Sequence, residues 1–167
     1  MKKCILVMLI LFTTLTLSNC GSGGGGSYSQ SRVTLINGRA VAPYDAPIAV
    51  KRAVSAGNAL QRKPYRMGGG HARHNDSGYD CSGTVSYVLR NAGLMNSTMP
   101  STGFRSYGRR GKGRWITVYA RRGHVFMTIG GLRLDARGYS RGYMGGPRWL
   151  VKPRSSRGFS VRHPRGL

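Results

Sequence analysis

The sequence predicts one α+β domain, in which two helices pack on a small antiparallel sheet. Two segments with apolar residues at helical spacing come first, and three short apolar runs follow. The last two runs are separated by Gly130-Gly131, a pair that accepts the positive φ angles of a two-residue hairpin turn. Helices followed by hairpin-linked strands are typical of α+β domains.

The composition sets the limits of this prediction. The chain has 167 residues, of which 27 are Lys or Arg and 4 are Asp or Glu, giving a formal net charge of +23. An apolar fraction of 40% argues against a disordered basic tail, because such a tail lacks the apolar surface that offsets chain entropy. Cysteine occurs only at positions 4, 20 and 81, which excludes a disulfide framework.

The N-terminus has the features of an export signal. Met1-Lys2-Lys3 is followed by an apolar stretch from Cys4 to Leu17, shorter than the roughly 20 residues that span a bilayer. The segment around Cys20 resembles a bacterial lipoprotein signal. We therefore expect residues 1–19 to be a lipoprotein-type signal peptide and Cys20 to be the lipidation site. A plain secreted protein and a retained anchor are the alternatives.

The following segment is predicted to be a flexible tether. Residues 20–32 comprise the lipidation site and a Gly/Ser-rich linker, and residues 33–167 form the expected domain with a basic C-terminal extension. Removal of residues 1–19 takes away only Lys2 and Lys3 among the charged residues, so the charge belongs to the domain. The expected location is the cell envelope, at the outer membrane if the source is Gram-negative.

The first helix is expected after a short strand or extended segment at residues 33–36. Asp45 is predicted to cap it, and it should end before Pro64 because proline cannot continue a helix. Its apolar stripe comprises Ile48, Val50, Val54 and Leu60.

A polar loop from Gly68 to Gly78 leads to the second helix. This helix is predicted to start between Asp80 and Ser82 and to end at Gly93, which suits the C′ position. Residues 96–113 are rich in Gly, Ser and Arg and predict a loop. The three apolar runs at 115–119, 125–129 and 132–135 predict strands.

Cys81 is the candidate nucleophile. A cysteine in the first turn of a helix lies beside free backbone N–H groups and the positive end of the helix dipole, which lowers a thiol pKa. The neighbouring Asp80 acts in the opposite direction and is assigned a capping or loop-fixing role. A buried structural cysteine is the alternative interpretation.

His124 and Asp135 are the candidate base and its orienting group. His124 begins the second predicted strand and Asp135 ends the third, so the hairpin brings them together. A carboxylate on one imidazole nitrogen leaves the other nitrogen for the sulfur, which is what a cysteine nucleophile requires.

These motifs resemble the NlpC-like bacterial cell-wall cysteine peptidases, a papain-like family. The resemblance covers roughly residues 46–136 and is carried by Pro64-Tyr65-Arg66-Met67-Gly68-Gly69, Asp80-Cys81-Ser82-Gly83 and His124-Val125. It implies a papain-like fold with Cys81 as nucleophile, His124 as base, Asp135 as third member and Tyr65 near the nucleophile or oxyanion. The longer loop before Cys81 and an aspartate at the third position depart from the usual pattern.

The resemblance also implies an activity, that of a peptidoglycan endopeptidase cutting stem-peptide amide bonds through a thioester. The residues expected to bind substrate are Asp80, Ser82, Gly83, His71 and Trp115. An amidase or acyltransferase on the same scaffold and an inactive binder of anionic polymers are the alternatives. No cofactor is expected. A metal site built from His71, His74 and Asp76 with Cys81 or His124 is the weaker interpretation, because the spacing and the loop context are not typical of metal ligands.

The basic surface predicts an anionic partner, since the charge exceeds what solubility needs. For an exported protein the candidates are stem-peptide carboxylates, anionic envelope polymers and lipid head groups. Nucleic acid is the rival from another class, and export argues against it.

Overall fold

The computed structural model describes residues 32–137 and 145–167. The predicted signal peptide at residues 1–19, the lipidation site Cys20 and nearly all of the tether lie outside the described residues. Within the described ranges, no helix is both long enough and apolar enough to cross a membrane.

The described chain starts with a small hairpin. Strands β1 (Thr34–Ile36) and β2 (Arg39–Val41) pair antiparallel around Asn37 and Gly38, which both have positive φ angles of 48° and 76°. The strand predicted at residues 33–36 is therefore present, and β2 was not predicted. Asn-Gly between two short runs is a strong hairpin signal, so the sequence did contain the information.

Helix α1 covers Ile48–Ala59 and buries Val50 and Val54 on the predicted stripe. Its N-cap is Pro47, without a capping hydrogen bond from a side chain, so the prediction that Asp45 caps this helix was wrong. The reason is that Pro47 supplies the extended backbone that the cap position needs, two residues after Asp45. Ile48, assigned to the stripe, is 64% exposed at the first helical position.

Helix α2 covers Cys81–Asn91 and has a well-formed start and end. Asp80 caps it by accepting a hydrogen bond from the Gly83 amide. At the other end Gly93 has a φ of 72°, and the amides of Gly93 and Leu94 donate to the carbonyls of Arg90 and Leu89. This is a Schellman motif, and the predicted C′ glycine is confirmed.

Residues 96–113 were predicted to be a loop, but they contain two short regular elements. A 3-10 helix covers Gly103–Ser106 and buries Phe104, and the two-residue strand β3 covers Arg109–Arg110. Phe104 anchors this otherwise polar segment to the core.

The main sheet, as the described residues form it, has six strands in the order β3-β8-β4-β5-β6-β7. Its further strands are β4 (Ile116–Arg121), β5 (His124–Ile129), β6 (Leu132–Arg137), β7 (Gly146–Leu150) and β8 (Ser160–His163). All the pairings are antiparallel. The region expected to be a basic C-terminal extension thus supplies two strands, one beside β6 and one between β3 and β4.

The core lies between the helices and one face of this sheet. α1 and α2 pack against each other, and α2 packs on β5 and β6. The fully buried side chains at this interface include Val50, Val85, Leu89, Met127, Ile129 and Leu134. The N-terminus of α2, which carries Cys81, is thereby held against the strand that begins with His124.

Candidate active site

Cys81 is the first residue of α2 and is 8% exposed. The backbone amides of Val125 and Ser82 lie near its sulfur and act to lower the pKa of the thiol. The Val125 contact places the thiol directly against the start of β5, next to His124. In the part of the chain that the structure describes, Cys81 is the one cysteine, and it is free.

The pKa of the Cys81 thiol is raised, in the direction opposite to that expected from the helix N-terminus. Burial is the main cause, and the negative charges of Asp80 and Asp135 add to it. The backbone amides of Val125 and Ser82 lower this pKa, but by less than burial and the two carboxylates raise it. The resting sulfur is therefore a thiol that needs a base.

Asp80 fixes the loop that precedes the nucleophile. Its Oδ1 accepts from the Gly83 amide at 2.6 Å and from the Ser82 hydroxyl at 2.9 Å, and its Oδ2 accepts from the Gly68 amide at 3.0 Å. His71 Nε2 lies 3.2 Å from the same Oδ1 and 3.1 Å from Ser82 Oγ. One carboxylate thus joins the loop to the first turn of α2, in the role of cap and loop anchor.

Gly83 allows the loop to approach the helix closely. A Cβ atom at this position would lie 2.0 Å from the backbone oxygen of Gly69. The structure thus uses Asp80, Ser82, Gly83 and His71 to hold the loop and the nucleophile in place. Their expected contacts with substrate stay predictions.

His124 and Asp135 form a close pair. His124 Nε2 is 2.9 Å from Asp135 Oδ1, and the Asp135 side chain is completely buried. The β5–β6 ladder runs from Ile129–Leu132 to Met127–Leu134, and the pair lies beyond its last rung. Burial alone would raise the pKa of Asp135, but the hydrogen bond and charge of His124, with the charges of Arg154 and Arg137, lower it.

Arg154 joins this pair and was not singled out from the sequence as a site residue. Its Nη1 is 2.9 Å from Asp135 Oδ2 and 3.0 Å from His124 Nε2. The guanidinium also stacks on two aromatic rings, 5.0 Å from the Phe126 centroid and 5.2 Å from that of Phe159. No local motif marks Arg154, because it is one of many arginines in the C-terminal segment.

The two contacts of His124 Nε2 favour different tautomers. A guanidinium only donates, so a hydrogen bond from Arg154 would require an unprotonated Nε2. That nitrogen would then direct its lone pair at the Asp135 carboxylate 2.9 Å away, which is repulsive. The arrangement without this repulsion has Nε2–H donating to Asp135 and Arg154 donating to the other carboxylate oxygen. Nδ1 is then the basic nitrogen.

Tyr65 lies near the nucleophile, at a bridge that joins it to Tyr79. Burial, followed by the negative charges of Cys81 and Asp80, raises the pKa of its hydroxyl. The hydroxyl is therefore protonated at neutral pH, and it lies close enough to Cys81 for a charge on the sulfur to affect its pKa. Its role in catalysis stays a prediction.

Trp115 is not part of this cluster. Its side chain is 7% exposed and lines a groove of about 580 Å³ on the face of the sheet opposite the helices, together with Phe126 and Arg154. Because Arg154 also contacts His124 and Asp135, the groove ends beside them. Among residues 32–137 and 145–167, no three His, Cys, Asp or Glu side chains are placed to hold a metal ion.

No protein-family model matches the sequence, and the comparison with curated proteins finds no match. Solved structures do match. The peptidoglycan hydrolase RipB from Mycobacterium tuberculosis has a TM-score of 0.52 and 23% identity over 69% of this chain and 64% of that chain. The resuscitation-promoting-factor-interacting protein RipA, mutated at a histidine, has a TM-score of 0.51 and 22% identity over 71% of this chain and 65% of that chain.

A third match is a hypothetical invasion protein of Mycobacterium tuberculosis, with a TM-score of 0.51 and 20% identity over 80% of this chain and 70% of that chain. The chain thus spans about two thirds of the length of these structures. At this level of identity the likeness shows the fold. The chain has the papain-like α+β fold of these proteins, with the nucleophile candidate at a helix N-terminus.

Proposed function

We propose that this protein is a peptidoglycan hydrolase, a cysteine endopeptidase that cleaves amide bonds in cell-wall stem peptides. The observation that carries the proposal is the His124–Asp135 pair at 2.9 Å. His124 begins β5, and the amide of the next residue, Val125, lies near the Cys81 sulfur. A fold shared with the peptidoglycan hydrolase RipB supports the substrate class.

The first half of the reaction follows from the tautomer of His124. Nδ1 takes the proton of the Cys81 thiol as the sulfur attacks the amide carbonyl carbon, and a C–S bond forms. The resulting imidazolium is stabilised by the buried Asp135 carboxylate. It then gives its proton to the leaving nitrogen as the C–N bond breaks, leaving a thioester.

The second half uses the same groups with water. His124 takes a proton from a water molecule while the water oxygen attacks the thioester carbon. The C–S bond breaks, the new peptide carboxylate leaves and the sulfur regains a proton. This sequence suits a thiol with a raised pKa, because the base acts during the attack and no preformed thiolate is required.

The developing oxyanion needs hydrogen-bond donors. The Gly83 amide is committed to the Asp80 side chain at 2.6 Å, and the Thr84 amide to the Asp80 carbonyl at 3.0 Å. The Ser82 amide lies near the Cys81 sulfur and acts on it, so the candidate donor at this helix start is the amide of Cys81. The protonated Tyr65 hydroxyl is a further donor in reach of the same region.

The bond expected from the family resemblance lies between D-glutamate and the following diamino acid. We also propose that the protein acts at the cell envelope, anchored by lipid at Cys20, with its basic surface facing anionic envelope polymers or lipid head groups. The Gly-rich tether would let the domain reach the wall from the membrane.

The test is digestion of purified peptidoglycan by the native protein, by Cys81→Ala and by Cys81→Ser. Soluble products are identified by mass spectrometry, and circular dichroism confirms that the variants fold. New stem-peptide fragments from the native protein alone are expected, with their ends naming the bond. Equal release by the native protein and Cys81→Ala, or release by none, overturns the proposal. Cleavage next to the sugar would instead indicate an amidase.

A further inference from the structure

The open face of the main sheet carries a groove with a strong excess of positive charge. Six basic side chains line it: Arg32, Lys112, Arg114, Arg133, Lys152 and Arg154. None of the described residues that line it is acidic, and nothing in the proposed reaction uses most of these cations. The groove therefore needs an explanation of its own.

The cations at the inner end of the groove exceed the negative charge available to them. Asp135 is shared by Arg154 at 2.9 Å, Arg137 at 3.5 Å and Arg133 at 4.0 Å. The Arg133 Nε atom is buried and has no hydrogen-bond partner among the described residues. A buried guanidinium N–H without an acceptor costs free energy. The rest of the Arg133 side chain lines the groove, where an anion would add to the negative charge that Asp135 supplies.

We propose that this groove is a binding site for a chain of phosphate groups that carries no bases. Charges are distributed along the groove from Arg32 and Lys112 to Arg154, so a multivalent anion matches them better than a single carboxylate does. Each phosphate group presents its oxygens in a geometry that arginine forks bind in pairs. This site deepens the anionic partner proposed above and is independent of the chemistry at Cys81.

The aromatic floor of the groove argues against nucleic acid as the occupant. Trp115, Tyr119 and Phe126 are 7%, 9% and 2% exposed, and the rings of Tyr119 and Phe126 stack on each other at 4.7 Å. Their faces are thus not open as platforms for bases, on which single-stranded nucleic acid binding depends. The groove lining therefore suits the charged groups of a polymer backbone and does not suit bases.

The test is binding of a short fluorescent inorganic polyphosphate to the purified protein, followed by anisotropy at several salt concentrations. The groove variant is Arg114→Gln/Lys152→Gln, in which both side chains are exposed and outside the Cys81 cluster. The matched control is Arg39→Gln/Arg52→Gln, which removes the same charge from β2 and α1. Competitors are a single-stranded oligonucleotide, polyglutamate and anionic lipid vesicles.

We expect the groove variant to bind polyphosphate about tenfold more weakly, and the control to bind like the native protein. Equal weakening in both variants would show a general effect of net charge and would overturn the site. Stronger competition by the oligonucleotide, polyglutamate or vesicles than by unlabelled polyphosphate would overturn the ligand class. Hydrolysis of peptidoglycan, measured in parallel, keeps this outcome separate from that of the Cys81 test.

Discussion

The position of the proton on His124 decides which of its two ring nitrogens is basic. With the proton on Nε2, the imidazole donates to Asp135 at 2.9 Å and keeps a lone pair on Nδ1. Arg154 favours this state indirectly, because it occupies the second oxygen of the same carboxylate and holds Asp135 ionised. Stacking on Phe126 and Phe159 fixes the guanidinium where it performs this task.

The raised pKa of Cys81 leads to a prediction about its reactivity. The thiolate is the reactive species, and its fraction grows as the pH approaches the thiol pKa from below. We expect the rate of alkylation of Cys81 by iodoacetamide to keep rising beyond pH 9, the ordinary value for this group. The measurement is the rate of modification between pH 5 and about 10, with glutathione in parallel as a reference.

A plateau of alkylation below neutral pH would contradict this prediction, because it would indicate a preformed thiolate–imidazolium pair. His124→Gln is the informative control. It removes the imidazole that could form such a pair, so a plateau that disappears in this variant would assign the ion pair to His124.

At the scale of elements, α2 and the loop before it behave as one unit. Asp80 contacts the loop at Gly68 and the helix at Gly83, and the Gly83 Cα packs against Gly69 and Gly70. Cys81 lies where the loop meets the helix. Its position depends on how closely the loop and the helix can approach each other.

Substitution of Gly83 by alanine tests this dependence. The new Cβ would clash with the Gly69 carbonyl, which is backbone and cannot move without displacing the loop. We expect Gly83→Ala to lower the free energy of unfolding by about 1–3 kcal/mol, measured by urea denaturation. Hydrolytic activity should fall with it, since Asp80 and Cys81 would shift. Ser55→Ala, at an exposed position of α1, should change neither quantity; an unaffected Gly83→Ala would show that the loop adapts.

The sequence predicted the elements whose signals are local. Gly93 ended α2 as expected, and the Gly130-Gly131 turn placed β5 beside β6 in the register that brings His124 near Asp135. The position of β8 could not be predicted, because its partners lie in β4 and β3, about forty and fifty residues earlier in the chain. For the same reason Arg154 could not be assigned to the site: its contacts depend on how the C-terminal segment returns across the sheet.

At the scale of the whole molecule, three of the four acidic residues do little to offset the charge on the surface. Asp80 and Asp135 are buried and committed to the α2 cap and to His124. Asp76 accepts backbone hydrogen bonds from Gly70 and Ser77, and its ion pair with Arg66 is long at 3.9 Å. The folded state therefore concentrates like charges that the unfolded chain can spread apart.

This imbalance predicts that salt stabilises the fold. Repulsion between like charges opposes the compact state, and it is screened as the Debye length falls from about 30 Å at 0.01 M salt to about 10 Å at 0.1 M. A protein held mainly by exposed ion pairs would lose stability over the same range. We expect the urea midpoint to rise between 0.01 and about 0.3 M sodium chloride, and urea is the suitable denaturant because it adds no charge. A midpoint that falls with salt would contradict this prediction. It would show that attractive ion pairs outweigh the repulsion, although the chain has 27 basic and only 4 acidic side chains.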